Sequence, residues 1–243
     1  MKGLIIGYGE IGKSLFNILS KEYKCDTYDE NESYYKNVFD LSFRDYEIIH
    51  ICFPYSKDFI KDVKKFQKII KPKFTIIHST IPVGTSKKLN AIHSPCLGIH
   101  PHLEKSMTTF IKFLGGKDAS LVADYFRRAG MKVYLVDKSE STELMKVLCT
   151  SFYGLCVEYT KDVKRLCDKN EVPFELWTIW NNNYNEGYSK LDMKEFIRPN
   201  LIPINKKIGG HCVIPNLDFI KSDFTELIKK RNLSKPDLNR VID

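Results

Sequence analysis

The sequence predicts an α/β fold: a doubly wound, mostly parallel sheet over residues 1–138, then a mainly helical domain over 139–243. Three observations predict it. Short apolar runs alternate with amphipathic stretches up to residue 136, as in sheets whose strands are joined by crossover helices. A glycine-rich turn follows the first apolar run directly. After Asp137 the alternation gives way to one long helical pattern, from Ser139 to Asn170, broken only by Gly154.

In order, "KGLIIG" (2–7) reads as a buried strand and "EIGKSLFNILSKEY" (10–23) as a helix with apolar residues at helical spacing. "KCDTYD" (24–29) is a second strand. "YEIIHICFP" (46–54) is a third, followed by a lysine-rich helix to about residue 71. "KFTIIHST" (73–80), "PCLGIH" (95–100) and "KVYLVD" (132–137) complete the strands. Beyond the long helix, "PFELWTIWNNNY" (173–184) is a second helix, in which Trp177 and Trp180 read as core or interface. Residues 185–216 read as loop, and a short helix is expected around 217–231.

Composition sets limits. With 43% hydrophobic residues the chain can build an ordinary core, and no apolar run reaches the length of a membrane span. The N-terminal apolar run is too short for a signal peptide and enters the glycine turn at once. The seven cysteines are scattered, with no C-x-x-C pair, which is not a disulfide framework. A cytoplasmic protein is expected. The net charge of +8 reads as lysine-rich solubility or an anionic small ligand; no nucleic-acid module or dense basic tract is present.

"GYGEIG" sets Gly7, Gly9 and Gly12 in the pattern G-x-G-x-x-G, after a strand and at the head of a helix. In such a turn the first glycine allows the bend, the second lets a pyrophosphate approach, and the third lets helix and strand pack. The helix N-terminus then offers free N–H groups to the phosphates. The reading is a Rossmann-type domain in which Gly7, Tyr8, Gly9, Glu10, Ile11 and Gly12 hold a dinucleotide. Asp29, 17 residues after Gly12, binds its ribose hydroxyls. Asp26 is an alternative acid inside the strand. No arginine follows Asp29, and Asp29, Glu30 and Glu32 would repel a 2′-phosphate, so NAD is favoured over NADP. A bare turn and S-adenosylmethionine are the competing readings. Pro54 ends the third strand, and Ser79 and Thr80 open "STIPVGTS" after the next; all three join the cofactor-binding set.

Taken in series, "GYGEIG" with Asp29, "STIPVGTS", "ELMK" and "GGHCVIP" resemble the UDP-glucose/GDP-mannose dehydrogenase family in order and spacing, over nearly the whole chain. The resemblance implies oxidation of a nucleotide-sugar C6 alcohol to a carboxylate, with two NAD and a cysteine thioester. It implies Lys146 as the family's lysine and Cys212 as its cysteine. Thr150 stands where the family has asparagine, Asn216 where it has aspartate, and His102, in "HPH" (100–102), where it has glutamate. The family's third, nucleotide-binding domain is expected to be missing here.

The candidate catalytic residues are therefore Cys212, Lys146, Thr80, His100 and His102. Lysine can polarise an oxygen, and histidine can take a proton near neutral pH. A His-Pro turn is also similar to one in prephenate dehydrogenases. Thr150, Gly209, Gly210, His211 and Asn216 are candidate substrate contacts. His100, His102, His211 and Cys212 could together suit zinc, but the reading retained has no metal. The expected activity is NAD-dependent oxidation of an alcohol on a small polar, anionic substrate, sugar-nucleotide-like or a hydroxy acid. A non-catalytic NAD-binding relative and a methyltransferase-like transferase are the alternatives. The long helix, apolar on more than one face, is expected to form a homodimer interface.

Overall fold

The computed structural model describes residues 1–31, 45–99, 101–210 and 212–233. It divides into two compact units, Met1–Val147 and Leu148–Asp243.

The first unit is built on a seven-stranded sheet. The strands are β1 (Gly3–Ile6), β2 (Cys25–Tyr28), β3 (Ile48–Ile51), β4 (Phe74–Ile77), β5 (Ile92–His93), β6 (Ile111–Gly115) and β7 (Lys132–Val136), in the order β2-β1-β3-β4-β5-β6-β7. Every neighbouring pair is parallel except β5 with β6. β1, β3 and β4 are buried along their whole length. Their largely apolar runs, interrupted only by His50 and Thr75, are what a strand covered on both faces requires.

The covering helices sort onto two faces. α1 (Glu10–Leu19), α4 (Leu103–Thr109) and α5 (Ala123–Arg128) pack with Ile5, Ile48 and Ile76 in one core. α2 (Phe59–Ile70) lies over Leu4, Ile6, Ile49 and Ile51 in another, which Leu89 joins directly after the short α3 (Thr85–Lys88). α2 buries Phe59, Val63, Phe66 and Ile70 at helical spacing and turns its lysines to solvent. It ends at Lys71, in the left-handed conformation that closes many helices, directly before Pro72.

Two elements differ from the sequence reading. Residues 95–100 were expected as a strand, but the strand here is Ile92–His93, and the described residues 94–99 form none. The carbonyls of Ser94 and Cys96 are instead taken by lysine side chains, from Lys112 at 2.8 Å and Lys146 at 2.9 Å, and Pro95 has no N–H to offer. Conversely, β6 has no counterpart in that reading. It runs antiparallel to β5 through His93 and Gly115, and its buried Lys112 interrupts the apolar run that would mark it.

The long helix α6 (Ser139–Lys169) runs on into the second unit, which continues with α7 (Phe174–Lys190) and α8 (Asp223–Leu233). α7 extends through Lys190 into residues read as loop. The short terminal helix is a 3-10 turn, Ile214–Phe219, followed by α8. A small core joins Ile208, Val213, Leu217 and Ile228. Gly154 is the one glycine of α6 for a packing reason: a Cβ there would stand 2.7 Å from Val213. Among the described residues, no helix is long and apolar enough to cross a membrane.

Candidate functional site

β1 to β4 end level with one another. Ile6 pairs with Tyr28 and Ile51, and Ile51 with Ile77. Gly7, Asp29, Phe53-Pro54 and Ser79-Thr80 therefore leave the sheet at one edge, the carboxyl end of parallel strands. β2 lies on one side of β1 and β3 on the other, so this edge contains the point where the chain order reverses. Open α/β sheets bind their ligands at such a point.

The glycine turn is shaped by what cannot fit. Gly7 has φ +94°, and a Cβ on it would lie 2.7 Å from the Phe53 nitrogen. A Cβ on Gly12 would meet the Gly7 carbonyl oxygen, whereas one on Gly9 would meet nothing within 4 Å. Gly7 and Gly12 thus serve packing, and Gly9 leaves an open cradle at the head of α1. The N-cap itself, Gly9, brings no side chain to cap that helix start.

Asp29 stands beside the cradle, half-buried. One carboxylate oxygen accepts the Tyr8 N–H at 2.5 Å, and the other accepts the Asn31 N–H at 2.9 Å. Asp26, the alternative acid, is held by the Tyr46 hydroxyl at 2.7 Å and by Lys2. Asp29 alone therefore lies at the strand end with the turn. Ser79 is buried and donates to the Phe53 carbonyl at 2.5 Å, tying the ends of β3 and β4 together; Thr80 is half-buried and Pro54 exposed.

The first two turns of α6 reach the same loops. Thr142 Oγ1 lies 2.9 Å from His93 Nδ1, and His93 Nε2 lies 3.2 Å from the Ser79 carbonyl. Glu143, wholly buried, accepts N–H groups from Gly84 at 2.5 Å and Ser86 at 2.8 Å. Burial pushes its carboxyl above the usual range, against the pull of the Ser86 and Gly84 donors. Lys146, half-buried, donates to the Cys96 carbonyl.

Beneath this edge lies a polar network absent from the sequence reading. Lys112 Nζ is 3.0 Å from His78 Nδ1, His78 Nε2 is 3.0 Å from His50 Nδ1, and His50 Nε2 is 3.2 Å from the Tyr125 hydroxyl. Tyr125 continues it to Cys25. Burial lowers His50 and His93 to about 3, with Lys112 adding to both, and drives His78 down as well. Lys112 is also lowered by burial, and no carboxylate among the described residues pairs with it. The available signal was histidine inside otherwise apolar strands, as in "IIHI".

The remaining candidates are placed as follows. His102 is exposed at the head of α4, whose Glu104 binds Asn17 of α1 and Lys21 just beyond its end. It lines a cleft of about 380 Å³ with Ile18, Lys21 and Lys105, at the end of α1 away from the glycine turn. Thr150, Gly209, Gly210, Cys212 and Asn216 belong to the second unit. There Thr150 is buried, Gly209, Gly210 and the Cys212 thiol are exposed, and Asn216 donates to the Cys212 carbonyl at 2.8 Å. His100 and His211 lie outside the described residues. Among the described residues, no group of three or more His, Cys, Asp or Glu is placed to hold a metal ion.

By sequence, the chain matches no protein-family model and no curated protein. By structure, it is similar to a UDP-N-acetyl-D-mannosamine dehydrogenase of Pyrococcus horikoshii, with TM-score 0.75 and 15% identity over 96% of this chain and 68% of that one. A UDP-glucose dehydrogenase of Pyrobaculum islandicum gives TM-score 0.76 and 12% identity, covering 95% and 67%. A 3-hydroxyisobutyrate dehydrogenase of Mycobacterium tuberculosis gives 0.69 and 10%, covering 94% and 91%. At these identities the likeness is one of fold: a Rossmann-like, mostly parallel sheet with flanking helices.

Proposed function

We propose that this chain is an NAD-dependent oxidoreductase acting on an alcohol of a small polar, anionic substrate. The carrying observation is the open cradle at Gly9, with the Asp29 carboxylate beside it at the reversal point of the sheet. These residues fit a dinucleotide. The N–H groups at the start of α1 would receive the pyrophosphate, and Asp29 the ribose hydroxyls, with its negative charge disfavouring a 2′-phosphate. A bound nicotinamide supplies the hydride acceptor. Lys146 is the chain's own group for polarising the alcohol oxygen, with Thr80 beside it in the candidate set.

The sugar-nucleotide and hydroxy-acid readings each have support, since dehydrogenases named for both kinds of substrate share the fold. The seven free cysteines suit the reducing cytoplasm. A homodimer through α6 is part of the same reading. The test is calorimetric titration with NAD, NADP and S-adenosylmethionine, then turnover on hydroxy acids, sugar phosphates and nucleotide sugars. NAD is expected to bind at least tenfold more tightly than NADP, and one alcohol class to be oxidised. Preference for NADP or S-adenosylmethionine would overturn the cofactor assignment. NAD binding without turnover on any class would favour a non-catalytic binder.

A further inference from the structure

Glu143 poses a problem of placement. A carboxylate with no accessible surface is costly unless it is well bonded. Its partners are the backbone N–H groups of Gly84 and Ser86, at the turn that ends "STIPVGTS". Gly84 has φ +87°, the left-handed conformation that lets the chain turn here. One residue earlier on α6, Thr142 reaches His93, and His93 reaches the Ser79 carbonyl. That contact also depends on Gly115, where a Cβ would stand 2.5 Å from Thr142 Oγ1. The segment carrying Thr80 is therefore tied at both ends to one turn of one helix, three residues before Lys146.

We propose that Glu143 and Thr142 are positioning residues, which hold Ser79–Ser86 in place for the nicotinamide half of a bound dinucleotide. This rests on the cofactor reading above. The strand order carries the choice of half: Asp29, after β2, serves the adenosine ribose, and the β4 loop lies on the other side of β1, across β3. A dinucleotide bound across such a sheet lays its two halves on those two sides. Neither residue needs to touch the ligand; each acts through the backbone of the segment.

The distinguishing measurement compares NAD with ADP-ribose, which lacks the nicotinamide. In Glu143→Gln a charged acceptor becomes an amide that must turn its NH2 toward one of the two N–H donors. NAD affinity should then fall about tenfold while ADP-ribose affinity is unchanged. Hydrogen exchange should quicken in the peptide covering 79–88. Thr142→Val, which puts a methyl in place of the hydroxyl that meets His93 and the Ser139 carbonyl, should give the same split and stands in if the first variant does not fold. Equal losses for both ligands, or no loss for either, would overturn the positioning role. If the unaltered protein binds ADP-ribose and NAD equally, the nicotinamide half is not recognised and the role is overturned. If it binds neither, the cofactor reading falls and takes this role with it.

Discussion

A methyl group on Gly12 would stand 1.9 Å from the carbonyl oxygen of Gly7, although the two residues lie on opposite arms of the turn. Backbone faces backbone there, so nothing flexible can give way. Gly12→Ala should cost about 3 kcal/mol or more, as severe overpacking does. Gly9→Ala, whose methyl would enter open space at φ −71°, should leave the melting temperature nearly unchanged yet abolish NAD binding. Melting curves and NAD titrations on the pair separate a packing glycine from a ligand glycine. A Gly9 variant that binds NAD normally would refute the cradle.

The buried histidines make stability depend on acid. His50 and His93 titrate near 3 in the folded chain, and His78 also lies below its ordinary value. Unfolded, each titrates near 6.5. The unfolded state therefore holds more protons between those limits. Stability is fully present above about pH 6.5 and is lost as pH falls toward the folded values. His50 and His93 together should give a slope of about 3 kcal/mol per pH unit near pH 5, and His78 acts in the same direction. Denaturant unfolding from pH 7.5 to 4.5 measures it, and a flat profile above pH 5 would contradict neutral burial.

Phe152, Tyr159 and Leu166 follow one another at intervals of seven along α6 and are 58%, 57% and 60% exposed in the single chain. That interval returns a side chain to nearly the same face of a helix. The chain should sediment as a homodimer at micromolar concentration, and Phe152→Glu should convert it to a monomer. A monomeric unaltered chain would remove the interface.

Cys212 is an exposed thiol followed by Val213, which is buried in the small core of its unit. It should react with iodoacetamide. If it is the nucleophile implied by the resemblance, NAD with the true substrate should protect it, and Cys212→Ala should stop carboxylate formation. Carboxylate formed by the alanine variant at the unaltered rate would rule out a covalent intermediate on Cys212, and an alanine variant unaltered in a reaction that ends at the aldehyde would restrict the chemistry to a two-electron step.

The parts of the fold that were plain in the sequence are those where local pattern and final packing agree. "GLII" before a glycine turn, the lysine-backed face of α2 and the uninterrupted length of α6 each carry their outcome locally. β6 was not plain because its one buried lysine is balanced by Ser94 and His78, distant in sequence. Residues 95–99 misled for the complementary reason: they look like a strand, but lysines occupy the carbonyls a neighbour would use. At the site, glycines and Asp29 could be named from spacing, whereas Glu143 stood inside the quoted "ELMK" with only its lysine singled out. Its role depends on a turn 57 residues away.

Tyr125 reaches His50 because Gly3 has no side chain; a Cβ there would stand 3.0 Å from the hydroxyl. The line from Lys112 to Cys25 that this completes has a sense of direction. A neutral imidazole bears one N–H and one bare nitrogen. When Lys112 donates to His78 Nδ1, His78 must donate from Nε2 to His50, and His50 from Nε2 to Tyr125. When His78 Nδ1 instead donates to the Ser94 carbonyl, 2.9 Å away, both later bonds reverse. Turning one ring alone would set N–H against N–H or leave two bare nitrogens facing. The two imidazoles therefore share a single tautomer, both protonated at Nε2 or both at Nδ1, and nitrogen-15 shifts should report them as one unit.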